Sequence, residues 1–265
     1  MHRFTARAAT VIAVSRPVEA FARVTVTGPD FADFVSTGPA DHCRLFFPDP
    51  ASGVIVAPRP LGPGEDGIIR PDQPAIARDF TPLNPRAVDD SVAIDLDFLQ
   101  HPDPGPASAW GESAMVGDTL VVVGPRGSRE APTGAARAVL VVDGSALPSA
   151  GRWLASLPDA TAVEVVYDGD SADLGWVGDY LAGFSPRGFG LFAADGPLDD
   201  AARARRIDEG MFVFGAGEAG RLIPLRRLLR RELGLASEQV ALSGYWKAGA
   251  HAFDHHSALD PDDPD

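Results

Sequence analysis

Cysteine is almost absent from this sequence, which contains Cys43 and no other. A single cysteine excludes an intramolecular disulfide, a cysteine-ligated iron–sulfur cluster and a cysteine-based zinc site. Such scarcity is typical of a reducing compartment and predicts a cytoplasmic location. Because Cys43 lies in a strand-like run at residues 41–47, the sequence favours a buried thiol over a reactive one.

The sequence also contains no long apolar run and only one lysine. No stretch of about 18 consecutive apolar residues occurs, which predicts no membrane span. The apolar stretch at residues 8–14 is too short for a signal peptide and lacks a clear cleavage site. Lys247 is the only lysine among 23 basic residues, and 37 acidic residues give a net charge of −14. Because so acidic a surface repels phosphate groups, nucleic acid and anionic membranes are excluded as expected partners.

No metal site is recognisable. His251, His255 and His256 lie together, but in the acidic, proline-containing segment 251–265, which lacks helical or strand periodicity. We expect this segment to be a flexible tail and the chain to hold no structural metal.

Residues 1–132 have the pattern of an antiparallel β domain. Between residues 92 and 98, Val, Ile, Leu and Phe alternate with Ala and Asp, which predicts a strand with one buried and one solvent-facing side. Prolines and glycines crowd residues 48–74, which predicts a long loop or a poorly ordered insertion. Further short strands are predicted at residues 23–27, 43–47 and 119–123.

Residues 133–250 instead predict a doubly wound α/β domain. The run 138–143 is continuously apolar up to its final Asp143, as the strands of a buried parallel sheet are, and residues 162–167 predict another buried strand. Helical sequence alternates with these runs, and residues 211–214 lead into a Gly-x-Gly-x-x-Gly turn. The Ser-, Pro- and Gly-rich stretch 128–136 marks the domain boundary.

A β-barrel followed by a nucleotide-binding-type α/β domain is the plan of ferredoxin-reductase-like flavoenzymes, and Arg78-Asp79-Phe80-Thr81 resembles their Arg-x-Tyr-Ser/Thr motif. The resemblance implies that Arg78 neutralises the FAD diphosphate, that the ring of Phe80 lies against the isoalloxazine, and that the Thr81 hydroxyl bonds the flavin nitrogen. A guanidinium suits phosphate oxygens and an aromatic ring suits a flat heterocycle. Taken alone, the tetrapeptide fits an ordinary strand equally well.

Longer motifs resemble one family of this plan, the siderophore-interacting proteins. That family carries a series His-Gly, Gly-Pro-Ala-Ser-x-Trp, Gly-Asp, Gly-Pro-x-Gly, Asp-Glu-Thr-Ala-Leu-Pro, Ala-Gly-Glu-Ala-Gly and Ser-Gly-Tyr-Trp-Arg/Lys-x-Gly. The matching positions here are His101 and residues 105–110, 117–118, 124–127, 143–148, 215–220 and 243–249. The family reduces ferric siderophores with FAD, using a nicotinamide cofactor or a ferredoxin.

The resemblance implies two groups of cofactor-binding residues. Those expected at the FAD site are His101, Gly105, Pro106, Ala107 and Ser108, and the last four match the segment that wraps the FAD diphosphate. A helix that begins there would offer free N–H groups and a positive dipole end to phosphate, the alternative being that Ser108 is a plain helix cap. Those expected at the NADH or NADPH site are Gly215, Gly217, Glu218 and Gly220.

Lys247 matches the basic position that follows Tyr-Trp in the family. Ferric triscatecholate siderophores are anionic, so a cation near the flavin would hold them electrostatically. The alternative is a solvated lysine at a strand end. On the interpretation that the family resemblance implies, Thr81 and Lys247 are the residues assigned to catalysis.

Three departures from the family matter for the predicted cofactor site. Phe80 replaces the usual tyrosine, and Pro102 follows His101 where glycine is usual. Leu83 stands where a second arginine commonly follows, and Arg86 is the residue we expect to reach the phosphates instead.

The sequence therefore predicts FAD-dependent reduction of a ferric siderophore by NADH or NADPH. Ferredoxin is the alternative electron donor, and a group of arginines at residues 226–231 could form its docking site. The alternative for these arginines is that they form an exposed helical face with no partner. Two other functions remain open, namely a non-catalytic module that binds flavin or ferric siderophore, and a general flavin or ferredoxin reductase.

Overall fold

The computed structural model describes residues 3–127, 129–250, 253 and 257–263. The chain divides into two compact units, Met1–Glu130 and Ala131–Asp265. The division falls two residues before the boundary expected from the sequence. The first unit is built on an antiparallel sheet and the second on a parallel sheet with helices, so the predicted fold class is confirmed.

The first unit is mostly β-structure. Its elements are β1 (Thr5–Ser15), β2 (Phe21–Thr27), β3 (His42–Phe46), β4 (Arg59–Pro60), β5 (Ile68–Ile69), β6 (Ala77–Phe80), β7 (Leu83–Val88), β8 (Ser91–Leu99), α1 (Pro106–Ser113) and β9 (Thr119–Arg126). The main sheet has the order β6-β3-β9-β1-β2-β8-β7, with every neighbouring pair antiparallel. Strands β4 and β5 pair separately within the proline-rich stretch predicted as a loop or insertion.

The main sheet curls on itself, as a barrel requires. Strands β6 and β7 lie at opposite edges of the sheet, yet only Thr81 and Pro82 connect them. Three peptide units span at most about 11 Å, so the two edges must come close together. Apolar side chains such as Val24, Leu45 and Leu96 fill the interior and are fully buried.

The second face of β8 is not solvent-facing, so that part of the prediction was wrong. Asp95 and Asp97 are only 5% and 4% exposed. Asp97 accepts two 2.7 Å hydrogen bonds from Arg23, and Asp95 accepts hydrogen bonds from Thr25 (2.7 Å) and Arg86 (2.9 Å). Long arginine side chains on the neighbouring strands cover the acids. An alternating pattern cannot distinguish an acid that faces water from one that faces a cation.

We expect Asp95→Asn to destabilise the first unit by about 2 kcal/mol near neutral pH, because it removes charge-assisted hydrogen bonds. Burial disfavours the carboxylate, but hydrogen bonds from Arg86, Asn84 and Thr25 outweigh it and hold the pKa of Asp95 below its ordinary value. A carboxyl with a lowered folded-state pKa stabilises the fold above its unfolded-state pKa, and that contribution disappears as the pH falls through the folded-state pKa.

Urea denaturation of the wild type and the variant at neutral pH and at about pH 3 checks this. The stability difference should shrink on acidification. A difference of the same size at both values would show that the charge of Asp95 does not contribute.

The second unit alternates strands and helices. Its elements are β10 (Arg137–Val142), α2 (Leu147–Ser156), β11 (Ala162–Tyr167), α3 (Leu174–Ala182), β12 (Gly190–Ala193), α4 (Leu198–Ala204), β13 (Met211–Glu218), α5 (Ala219–Arg227) and β14 (Val240–Trp246). A π-helical turn, Leu228–Glu232, continues α5.

The parallel sheet has the order β12-β11-β10-β13-β14. Helix α2 packs on one face, where the Trp153 ring centroid lies 4.9 Å from that of Phe212 and 5.3 Å from that of Phe214. On the other face, Leu222 and Leu225 of α5 belong to the core cluster of the sheet. The chain starts at β10 and adds strands outward on both sides, so the strand order reverses between β10 and β13. Ligands of doubly wound sheets bind at the carboxyl ends of the strands at that point.

The described part of the C-terminal segment is bound to α5 and its π-helical extension. Asp260 is 2% exposed and accepts a 2.7 Å hydrogen bond from Arg227. Asp263 pairs with Arg231 and with Arg226 (3.0 Å), and the hydrogen bonds from these two arginines lower the pKa of Asp263 to about 2. Ion pairs thus hold these residues, which the sequence predicts to be part of a flexible tail. The same ion pairs involve Arg226, Arg227 and Arg231, which belong to the arginine group proposed to dock a donor.

Two absences hold for the residues that the structure describes. No helix there is both long and apolar enough to cross a bilayer, and no three potential metal ligands cluster. The histidines His251, His255 and His256 lie outside the described residues.

Candidate functional site

The Arg-x-Phe-Thr motif lies on β6, at one edge of the curled sheet. Side chains alternate along a strand, so Arg78 and Phe80 share one face and Asp79 faces the other way. Asp79 forms hydrogen bonds of 3.0 and 2.6 Å with Arg44 on β3. Arg78 is exposed, and its guanidinium donates a 2.7 Å hydrogen bond to the carbonyl of the preceding residue. Thr81, directly after the strand, is 8% exposed.

Phe80 is half-buried at the rim of an aromatic cluster. Its ring centroid lies 4.6 Å from that of Phe98 and 6.2 Å from that of Phe47. These contacts fix the ring position, and the partly exposed remainder of the ring is available to a ligand.

Helix α1 begins with an open N-terminus. Gly105 is the N-cap residue and provides no side-chain hydrogen bond, and Pro106 occupies the first helical position. The amides of Ala107 and Ser108 have no carbonyl partner within the helix, because the first turn of any helix leaves its N–H groups unpaired. Nothing lies within 4 Å of the position a Gly105 side chain would take. The helix start therefore offers donors and a positive dipole end to an anion.

The alternative that Ser108 simply caps this helix is wrong, because the cap position belongs to Gly105. The Ser108 hydroxyl instead lies 3.4 Å from Nε2 of His101. Both residues come from the same predicted motif series, and the structure brings them together at the helix start.

Phe98 connects the motif strand to this helix. Its ring contacts Phe80, and it also contacts Trp110 of α1 with a centroid separation of 5.6 Å. A Cβ atom at Gly111 would lie 2.2 Å from the Phe98 ring, so the absence of a side chain there lets α1 approach the barrel. The motif strand, through Phe80, and helix α1, through Trp110 and Gly111, therefore pack against the same side chain of β8.

Arg86 does not take the position we expected. Its guanidinium pairs with Asp95 at 2.9 Å and contacts the Thr25 hydroxyl at 3.4 Å. These partners lie on β8 and β2, so Arg86 neutralises the buried carboxylate of Asp95. The structure does not support a role for Arg86 in phosphate binding.

In the second unit, a small crevice with almost no solvent-accessible volume lies at the carboxyl ends of β10 and β13. Its lining consists of Val141, Val142, Asp143, Asp168, Leu198, Ala216, Gly217, Glu218 and Leu222. This is the place where the sheet topology predicts a nucleotide.

Asp143 is the most connected acid of the crevice. One carboxylate oxygen accepts hydrogen bonds from the amide (2.9 Å) and hydroxyl (2.6 Å) of Ser145, and the other from the Glu218 amide (3.0 Å) and the Trp246 indole (2.7 Å). Burial raises the pKa of Asp143, against the effect of these donors. Gly217 has φ +147°, and a Cβ atom there would lie 2.6 Å from the carboxylate, so only glycine fits beside it.

The Gly-x-Gly-x-x-Gly turn is not an open phosphate site. Glu218 is the N-cap of α5, and its carboxylate accepts a 2.7 Å hydrogen bond from the Arg221 amide and a 3.1 Å hydrogen bond from the Ala248 amide. The chain's own carboxylates thus accept hydrogen bonds from the Glu218 and Arg221 amides, two of the donors that a phosphate at this turn would use. Gly215 and Gly220 belong to the turn, but a Cβ atom at Gly215 would meet Leu242 at 2.6 Å, so that glycine serves strand packing.

Lys247 follows directly after β14 and is exposed. Its side chain forms no hydrogen bond or ion pair with any residue that the structure describes. Its ammonium is therefore available to a ligand.

Comparison with known proteins decides the family. Residues 10–129 match the siderophore-interacting FAD-binding domain, and residues 135–249 match the siderophore-interacting protein family. The chain is 32% identical over 251 residues to the NADPH-dependent ferric-chelate reductase of Escherichia coli (strain K12), covering 91% of this chain and 93% of that protein. The chain is a siderophore-interacting protein.

Other relatives agree with this assignment. The ferric vibriobactin reductase ViuB of Vibrio cholerae is 28% identical over 241 residues, covering 88% of this chain and 86% of that protein. The crystal structure of a siderophore utilization protein from T. fusca superposes with a TM-score of 0.78 at 31% identity, covering 97% and 98% of the two chains. Phthalate dioxygenase reductase, at 11% identity and a TM-score of 0.61, shares the fold.

The first unit of this siderophore-interacting protein fits FAD. It combines an exposed arginine, a half-buried aromatic ring and a hydroxyl on one motif with an uncapped helix start, and both parts pack against Phe98. Replacement of the usual tyrosine by Phe80 retains the aromatic surface and removes one hydroxyl. An anionic diphosphate and a flat ring match these groups.

Reasoning from the sequence missed the roles of Asp143 and Trp246. Both belong to motifs that resemble the family, but they lie 103 residues apart along the chain and meet only across the sheet. An acid directly after a buried strand was the available signal, since strand ends at a topological switch point face the ligand.

Proposed function

We propose that this siderophore-interacting protein is an oxidoreductase that uses FAD to reduce ferric siderophores and release iron(II), with NADH or NADPH as donor. The observation that supports the proposal is that Phe80 of the Arg78–Thr81 motif and residues Trp110 and Gly111 of α1 pack against the same side chain, Phe98. A cytoplasmic location fits its single, buried cysteine.

In the first unit, Arg78 and the amides of Ala107 and Ser108 would hold the diphosphate. Phe80 would support the ring, and the Thr81 hydroxyl would donate a hydrogen bond to it. When bound, FAD supplies the ability to take up two electrons together and release them one at a time. The chain's own contribution is to bind and orient.

In the second unit, the crevice between β10 and β13 is the proposed nicotinamide site. Gly217 lets the Asp143 carboxylate lie against the backbone, and Asp143 and Glu218 form the acidic wall of the crevice. Because both carboxylates occupy the nearby backbone amides, we do not assign the phosphates of the nicotinamide cofactor to this turn.

The substrate is a ferric complex with oxygen donors, and Lys247 is its proposed contact. An exposed ammonium attracts an anionic triscatecholate complex, and iron(II) binds hard oxygen ligands more weakly than iron(III), so reduction frees the metal. Ferredoxin remains a second candidate donor. Asp260 and Asp263 pair with three of the arginines that would dock it, which disfavours ferredoxin.

An anaerobic assay tests the proposal. Protein loaded with FAD is mixed with NADH or NADPH and a ferric siderophore, and a chromogenic ferrous chelator reports the product. We expect a yellow protein whose visible absorbance is bleached by the nicotinamide, followed by ferrous formation above the protein-free control.

Protein that cannot be loaded with FAD would refute the proposal. Loading without ferrous product would favour the binding module, and faster reduction of free flavin than of the ferric chelate would favour a general flavin reductase.

A further inference from the structure

The residues on both sides of Lys247 are tied to acids of the crevice. The Trp246 indole donates a 2.7 Å hydrogen bond to Asp143, and the Ala248 amide donates a 3.1 Å hydrogen bond to Glu218. Asp143 and Glu218 lie at the carboxyl ends of β10 and β13, the two central strands of the sheet. The backbone that carries Lys247 is thus attached to two interior strands of the parallel sheet.

Neighbouring contacts complete the attachment. The Tyr245 hydroxyl lies 2.7 Å from the Ser149 hydroxyl of α2. After Lys247, the Ala250 amide closes a turn onto the Lys247 carbonyl at 3.0 Å. A lysine side chain has four rotatable bonds, so its ammonium can be directed only if its backbone is fixed.

Asp143 and Glu218 hold this segment through neutral hydrogen-bond donors and form no ion pair with Lys247. Each of the hydrogen bonds to Asp143 and Glu218 comes from a neutral donor, namely a backbone amide, a hydroxyl or an indole. With these donors in place, the carboxylates are solvated by the protein and have little need of a nearby ammonium. Loss of a donor would leave a carboxylate that competes with the substrate for Lys247.

We propose that Asp143 and Glu218 are positioning residues for Lys247, acting through Trp246 and Ala248. They fix the segment from which the ammonium reaches an anionic ferric siderophore, and they remain engaged with neutral donors. This inference rests on the proposed role of Lys247 in substrate binding.

The single lysine permits a direct test that is independent of turnover. Reductive methylation with isotope-labelled formaldehyde places an NMR label on Lys247 and on the N-terminal amine alone. Trp246→Phe removes the indole donor while retaining an exposed aromatic ring, so folding should be unaffected. We expect a shifted and narrower Lys247 signal, because the segment becomes more mobile. Asp143→Asn and Glu218→Ala should change the signal in the same direction.

Trp176→Phe is the matched control. Its indole donates a 3.0 Å hydrogen bond to Asp173 on the same unit, so the substitution removes the same kind of bond at a different place. The Lys247 signal should stay unchanged. The inference is overturned if the Lys247 signal of Trp246→Phe is the same as that of the wild type. If the signal is unchanged in Glu218→Ala, the part of the inference that concerns Glu218 is overturned.

A double-mutant cycle measures the consequence for substrate. Trp246→Phe should raise the KM for a ferric triscatecholate about fivefold, with kcat within about twofold, as expected for loss of one hydrogen bond. In a Lys247→Ala background the same substitution should add less than about twofold, because residues that act as a unit are not additive. The KM for a neutral ferric trihydroxamate should change little in any variant.

The inference is overturned if Trp246→Phe raises the KM for the triscatecholate as much in the Lys247→Ala background as it does in the wild type. If Lys247→Ala leaves the KM for the triscatecholate unchanged while Trp246→Phe still shifts the lysine signal, the proposed substrate role of Lys247 fails and the positioning of its side chain stands.

Discussion

Arg78→Ala is expected to weaken FAD binding about 100-fold, because a charge-assisted hydrogen bond to phosphate contributes about 1.5–3 kcal/mol. Arg78 shares a strand face with Phe80, whose ring contacts Phe98, the side chain against which Trp110 of α1 packs. The two amides at the start of α1 cannot replace a full positive charge. Fluorescence titration of the apoprotein with FAD measures the change.

Two variants make this result specific. Arg59→Ala removes an exposed arginine from β4 of the same unit and should leave the dissociation constant within about twofold. Arg78→Lys should recover part of the affinity, since a lysine retains the charge but not the planar fork of the guanidinium. FAD binding by Arg78→Ala at wild-type strength would remove Arg78 from the site.

Gly111→Ala should disrupt the first unit more broadly. A Cβ atom at this position would lie 2.2 Å from Cγ and 2.7 Å from Cβ of Phe98, and atoms so close to the backbone cannot move aside cheaply. We expect the free energy of unfolding of the first unit to fall by about 2–3 kcal/mol. FAD affinity should fall as well, because Phe98 contacts both Phe80 and α1.

Gly175→Ala provides the matched control for a helical glycine. Gly175 lies in α3, and a Cβ atom there would enter open space, with no neighbouring side chain within 4 Å. The same substitution should therefore stabilise the second unit by about 0.5–1 kcal/mol, the usual helix preference for alanine. Urea denaturation and FAD titration of both variants give the comparison. Wild-type stability and FAD affinity in Gly111→Ala would show that α1 does not need its close approach to the barrel.

The pattern of the sequence was sufficient for the order of elements. Strand β11 lies where its apolar run predicted it, at residues 162–167, and β10 differs by one residue at each end. These runs are unambiguous because a buried parallel strand is apolar on both faces. The motif series also identified the family, since its segments are contiguous in the chain and need no tertiary information.

Charged positions were predicted less well. Asp95 resembles a solvent-facing acid in an alternating strand, yet Arg86 and Thr25 bury it. Arg86 was expected at a phosphate for the same reason, because the sequence shows a free cation and not the acid across the strand. The pairing of charges depends on strand register, which local periodicity does not encode.

The sequence by itself determined the fold class and the family. Only the tertiary structure decided that Glu218 accepts a hydrogen bond from the Ala248 amide, and that Asp143 holds Trp246 beside the only lysine. The physical reason is that these contacts join strand ends that are far apart in sequence, and a hydrogen bond depends on the positions of both partners in space.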